Sequence, residues 1–130
     1  MIGAWDETHE RETTMIQQVV DAIHEFIKVA DAVTAEYWTA SNFTHAPAPK
    51  HEAKFISSKW CKIVTPGSGV YGFIAVSDFT TKELGPVAVG SIHKAASWSK
   101  PAKHARGNVL TQQPYEYRKA LGPYGPNYLR

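Results

Sequence analysis

From Thr14 onward, apolar residues return every three or four positions: Ile16, Val19, Val20, Ile23, Ile27, Ala30, Val33 and Tyr37. At 3.6 residues per turn these fall along one stripe, while Gln17, Asp21, Glu25, Lys28 and Asp31 fall mostly opposite, so the segment is predicted as one long amphipathic helix. Thr14, followed three residues later by Gln17, fits a capping box in which the threonine oxygen takes an orphan amide at the helix start. The helix is predicted to end by Asn42, because the stretch 39–49 combines poor helix formers with Pro47 and Pro49, which donate no backbone hydrogen bond.

Beyond Lys50 the period drops to two. Residues 54–58 and 60–64 read as strands, and Pro66-Gly-Ser-Gly69 is a turn cluster leading into Val70-Tyr-Gly-Phe-Ile-Ala-Val-Ser77. In that last run Val70, Ile74 and Val76 are expected on one face and Tyr71, Phe73 and Ala75 on the other. Apolar residues on both faces mark a central strand with the helix over one side. Residues 78–86 form a longer loop, and 87–92 return as a fourth strand. Sequential short strands without crossover helices predict an antiparallel meander. After Lys94 the periodicity vanishes, and residues 107–130 read as irregular chain pinned by tyrosines. Residues 1–13, acidic with a lone Trp5, read either as a flexible arm or as a short first helix. The expected fold is therefore α+β: one long amphipathic N-terminal helix packed on a small antiparallel sheet of three or four strands, with an irregular basic C-terminal segment.

Composition adds three bounds. With 130 residues, 43% hydrophobic and 20% charged, the chain is sized and composed as one folded domain. No apolar run approaches the ~20 residues that cross a bilayer, and no secretory signal precedes the helix, which points to a cytosolic location. Cys61 is the single cysteine, so an intrachain disulfide is impossible, and its place in Trp60-Cys-Lys-Ile-Val64 reads as a small buried residue rather than a nucleophile.

The net charge of +2 conceals a split. Residues 1–52 hold nine acids against three bases, a net of −6, and residues 53–130 hold eleven bases against three acids, a net of +8. Such an asymmetry speaks to partners: the basic part meets a polyanion, or the two parts attract one another. Within it, His93 to Asn108 contains His93, Lys94, Lys100, Lys103, His104 and Arg106 and no carboxylate.

Enzyme signatures are missing. There is no phosphate-binding glycine loop ending in Gly-Lys-Ser/Thr, no Gly-x-Ser-x-Gly elbow, no His-Glu-x-x-His and no cysteine pair, so the protein reads as a non-enzyme without a cofactor. His45 and His51 bracket the proline-rich connector and His93 and His104 flank the basic run, but neither spacing matches a metal-ligand pattern, and a cation among these lysines meets repulsion.

The basic run has three readings. It is a solvated surface with Trp98 folded onto the sheet as an anchor. Alternatively it grips nucleic-acid phosphates through Lys94, Lys100, Lys103, His104 and Arg106, with Trp98 free to stack on an unpaired base. In the third, it docks on an acidic protein surface, including the acidic helix of a second copy. The function expected is non-specific binding of DNA or RNA; the alternative is a protein-interaction module, in which Tyr115, Tyr117, Tyr124 and Tyr128 supply interface aromatics.

Gly90-Ser-Ile-His-Lys-Ala-Ala-Ser-Trp-Ser-Lys-Pro-Ala-Lys-His-Ala-Arg-Gly-Asn-Val109, with Tyr71-Gly-Phe-Ile74 before it and Gly122-Pro-Tyr-Gly-Pro-Asn-Tyr-Leu-Arg130 closing the chain, resembles a group of small proteins of tailed bacteriophages. The likeness covers roughly residues 54–130. Ser91 stands where such relatives carry an acidic turn residue, and the 79–86 loop is longer. The resemblance brings no activity or catalytic residues. It implies a setting: a viral accessory protein in the host bacterial cytoplasm or the virion, with a host or phage protein as a possible partner.

Overall fold

A computed structural model of the protein describes residues 3–42 and 46–128, with side chains from Ile16 onward. Helix α1 spans Gly3–Ala40, 38 residues and so about 57 Å at 1.5 Å per residue. It runs through Thr14 without a break, which corrects the cap expected there and makes residues 3–13 the first turns of the same helix. Gln17, expected to close the cap, instead donates from Nε2 to Asp21 Oδ1 one turn on, at 2.8 Å. The helix ends where expected: Asn42 takes φ 60°, the left-handed conformation that asparagine tolerates after a last turn.

The residues that α1 buries follow Val19, Ile23, Phe26, Ala30 and Thr34, each no more than 3% exposed. Two of these lie off the predicted stripe: Phe26, three residues from Ile23, is buried in place of Ile27, and Thr34, four residues from Ala30, in place of Val33. Ile16, at the head of that stripe, is 63% exposed. Each fully buried Ile or Phe contributes roughly 1.5–3 kcal/mol relative to leaving it in water.

Opposite the helix, strands β1 (Glu52–Phe55), β2 (Trp60–Thr65) and β3 (Gly69–Ala75) are followed by a small hairpin, β4 (Phe79–Thr81) and β5 (Gly85–Val87), and then by β6 (Ser91–Ala95) and β7 (Pro101–Asn108). The main sheet is antiparallel in the order β1-β2-β3-β6-β7, with β3 at its centre as expected. It is a five-stranded meander, larger than the three or four strands anticipated. The 78–86 loop contains the separate β4–β5 hairpin, and the stretch after Lys94, expected to be irregular, supplies the edge strand β7. No alternation announces β7, since it is rich in alanine and charge. Pro101 sits at its first position, where a missing N–H is tolerated on a sheet edge.

A bulge decides which side chains meet the helix. Ile63 pairs with Gly72 and Val64 with Val70, leaving Tyr71 without an opposite residue. Tyr71 thereby turns to the helix side with Ile74, contrary to the alternation expected, and packs edge-on against Phe26 with ring centroids 6.2 Å apart. Cys61, Ile63, Ile74 and Ile92 complete that inner face.

Residues 114–126, expected to be irregular, carry structure of their own. Helix α2 (Pro114–Tyr117), a single 3-10 turn (Arg118–Ala120) and the two-residue strands β8 (Leu121–Gly122) and β9 (Gly125–Pro126) fold back beside α1. Proline at the first position of α2 and the Glu116 carboxylate, which accepts the Gln113 N–H at 3.1 Å, fix its start. Thr34 donates to Pro123 O at 3.2 Å, the Tyr71 hydroxyl to Gly122 O at 2.7 Å, and Arg118 pairs with Glu36. Burial, then the nearby Asp31 charge, pushes the Tyr71 hydroxyl above its ordinary value, so it stays a donor. Close approach is possible because Gly72 and Gly125 lack side chains: a Cβ at Gly125 would lie 2.6 Å from Tyr71 O, and one at Gly72 2.9 Å from His93 O. The connector before β1 is held by His51, whose backbone N–H and Nδ1 both meet Asp31 Oδ1, at 2.9 and 2.6 Å.

Candidate nucleic-acid interface

The six residues predicted to form the site divide into two groups, one hydrogen-bonded to the chain's own tail and one exposed. Lys94 alternates with His93 on β6 and pairs across to Gly72, which puts it on the helix side. Its Nζ donates to Pro126 O at 3.0 Å and lies 4.1 Å from the centre of the Tyr128 ring. Arg106 donates from Nε to Asn127 O at 3.2 Å and from a terminal nitrogen to His104 O. These two cations satisfy carbonyls of the chain's own tail, so their donors are engaged in structure.

The second group stays in solvent. Trp98, 62% exposed, sits in the tight β6–β7 turn, closed by Ala96 and Ser97 N–H groups that both donate to Lys100 O. Lys100 ends that turn, and Lys103 and His104 follow on β7, all three exposed. Among the described residues none of the six predicted site residues has an ion-pair partner; the ion pairs present are Lys28–Glu25, His51–Asp31 and Arg118–Glu36. Exposed charge on an edge strand also blocks edge-to-edge pairing of sheets, a role these lysines fill whatever they bind.

Sequence reasoning missed Lys62. It pairs with Phe73 on the sheet face away from the helix, is 8% exposed, and places Nζ 3.8 Å from the centre of the Trp98 ring. The signal was a lysine at an inward position of an otherwise apolar strand, a placement that demands a partner. Around it that face carries an aromatic layer: the Trp60 ring lies 5.2 Å from Phe79, 5.1 Å from His93 and 6.0 Å from Phe73. The β4–β5 hairpin covers it through Phe79.

His93 belongs to this layer rather than to the surface. It is 2% exposed; Nδ1 donates to Ala102 O at 2.8 Å, which leaves Nε2 to accept from the Ser91 hydroxyl at 3.0 Å. Burial lowers its pKa, the Ala102 carbonyl opposes that, and the Arg106 and His104 charges add to the lowering. The unfolded chain takes up a proton near 6.5 while the native ring refuses it. Stability therefore falls as pH drops below about 6.5 and levels off only below the native ring's own, lower value. Urea midpoints measured between pH 7 and pH 5 should decline, and His93→Gln should flatten that part of the decline; an identical slope in the variant overturns the assignment.

Cys61 faces the helix with Ile74, whereas His93 pairs with Phe73 on the other face, so the sheet separates the one thiol from that imidazole. Burial pushes the Cys61 thiol up to about 12. Among the described residues no three of His, Cys, Asp and Glu converge as metal ligands, and no helix is long and apolar enough to cross a membrane. His45 lies outside the described residues. Away from the basic hairpin, Ile16, Val20, Phe55 and Val76 line an open apolar groove between α1 and β1.

Together the fold and these side chains define an α+β domain with a basic, tryptophan-tipped edge hairpin. Comparison with protein-family models, with curated proteins and with solved structures finds no match for the chain.

Proposed function

We propose that the protein binds nucleic acid through its phosphates, without sequence preference, using the β6–β7 hairpin. The observation that carries this reading is the solvent-exposed set Trp98, Lys100, Lys103 and His104, gathered on one turn and one edge strand with no carboxylate paired to them among the described residues. Cations so placed release counterions from a nucleic-acid backbone, and nothing in the set supplies a base-reading fork. Lys94 and Arg106, though tied to the tail, keep their charge and add to the field. The resemblance to tailed-phage proteins supports an accessory role in the host bacterial cytoplasm or the virion.

A fluorescence-anisotropy titration with single- and double-stranded oligonucleotides tests it. About three phosphate contacts give a slope of log K against log salt of roughly −2, a loss of about sixteenfold between 50 and 200 mM. No binding at low salt, or binding indifferent to salt, removes the proposal.

A second reading, an interaction module, is supported by the apolar groove at Ile16 and Phe55. Its occupant would be a second copy of this chain, because Ile16 and Phe55, 63% and 49% exposed, offer the same apolar surface on each copy and so can pair with themselves. Sedimentation of the titration samples before oligonucleotide is added decides; a monomer leaves only the first reading.

A further inference from the structure

We propose that Trp98, held from beneath by Lys62, is a stacking platform for an unpaired base, and that the ligand class of the hairpin is therefore single-stranded nucleic acid. This rests on the nucleic-acid reading above and goes beyond it, because phosphate contacts alone do not distinguish single strands from duplex.

Two observations converge on the platform. Trp98 keeps 62% of its surface in solvent although large aromatics are ordinarily drawn inside. Lys62 is more than nine-tenths buried and, among the described residues, forms no ion pair; what its ammonium meets is the indole ring at 3.8 Å. A cation on a largely buried side chain, set over an aromatic face, is attracted by the ring quadrupole. Lys62 is itself fixed on β2, second from the sheet edge, with its backbone paired on both sides.

The consequence is a ring whose inner face is occupied and whose outer face is free and already oriented. An incoming base then stacks without the cost of ordering a loose side chain. Duplex DNA hides its base faces in its own stack, so only unpaired bases profit. Lys100, two residues on, and Lys103, on the strand that follows, lie where the flanking phosphates would run, about 10 Å apart along the chain. Lys62 acts through Trp98 and is a positioning residue; it does not touch the phosphates.

The test is the affinity of the full chain for an oligothymidine and for a duplex of equal length at fixed low salt, in the wild type and in Trp98→Ala, Trp98→Tyr and Lys62→Met. The wild type should prefer the single strand. Trp98→Ala should weaken single-strand binding about tenfold, in keeping with the range for one base–aromatic stack, and leave the duplex unchanged, while Trp98→Tyr should restore most of the loss. Lys62→Met should weaken single-strand binding severalfold with no change in salt slope, the signature that separates positioning from phosphate contact. Thermal midpoints of all variants confirm that each is folded, and Trp98→Leu, which keeps apolar bulk but has no aromatic face, carries the comparison with the same expected loss should the alanine variant fail. Equal affinities for both ligands, or a Trp98→Ala variant that binds the single strand as the wild type does, overturns the platform while leaving the nucleic-acid reading intact. Absence of binding to either ligand by the wild type overturns both.

Discussion

Phe26→Ala should lower the free energy of unfolding by about 3–5 kcal/mol, the range for removing a buried aromatic and leaving a cavity. Set against the 5–15 kcal/mol that typically stabilises a whole domain, that is a large fraction. Phe26 is 1% exposed and is the ring through which three parts of the chain meet: α1 itself, Tyr71 of β3 at 6.2 Å, and Tyr117 of α2 at 5.8 Å. Removing it uncouples the C-terminal segment from the sheet as well as the helix from both. Ile27→Ala, one residue along and only half-buried, is the control and should cost about 1 kcal/mol. Urea unfolding monitored by circular dichroism measures both. If the two variants lose equal stability, the buried line of α1 has been misplaced by one residue.

Gly125→Ala is the second large effect, at about 3 kcal/mol. Gly125 has φ 145°, and a methyl group there would meet Tyr71 O at 2.6 Å, a backbone atom held in the middle of the sheet. The β8–β9 hairpin must lift, taking with it the bonds from the Tyr71 hydroxyl and Thr34. Gly67→Ala separates crowding from conformational strain, because Gly67 also has a positive φ, 81°, but has nothing within 4 Å of its would-be Cβ. It should lose only about 1 kcal/mol. Trypsin cleavage after Lys119 offers an independent readout: it should accelerate in Gly125→Ala and not in Gly67→Ala. Similar behaviour of the two variants would mean that the tail does not seat on β3.

Particular residues show why parts of the chain were legible and others were not. The helix and strands β2 and β3 announce themselves through apolar periodicity, because each buries a face against the other. Strand β7 has no such face to bury: its exposed Lys103 and His104 carry no period, and what holds it is hydrogen bonding to β6, which composition does not encode. Tyr71 was assigned to the wrong face because a bulge breaks alternation without any local sequence mark other than the adjacent Gly72. The candidate site was half legible. Trp98, Lys100, Lys103 and His104 were recognisable as one charged stretch, yet Lys94 is turned to the tail by strand alternation, Arg106 falls at a break in the β6–β7 register, and backbone carbonyls from the far end of the chain hold both. Lys62, brought under Trp98 by pairing between strands thirty-six positions away in sequence, could be suspected only from its apolar setting.

The way the tail closes on the helix bears on how the newborn chain behaves. Apart from the β4–β5 excursion, every pair of adjacent strands in the main sheet is also consecutive in the chain, so the meander can zip up as it is synthesised. The helix-to-tail bonds, by contrast, join residues 89 and 82 positions apart, and such remote contacts form last because closing the intervening chain costs the most entropy. A ribosome-bound intermediate halted near Leu110 therefore presents one flank of α1, around Phe26 and Ala30, bare of Tyr117 and Leu121. That apolar flank stays open to water until Tyr117 and Leu121 seat on it and close the core.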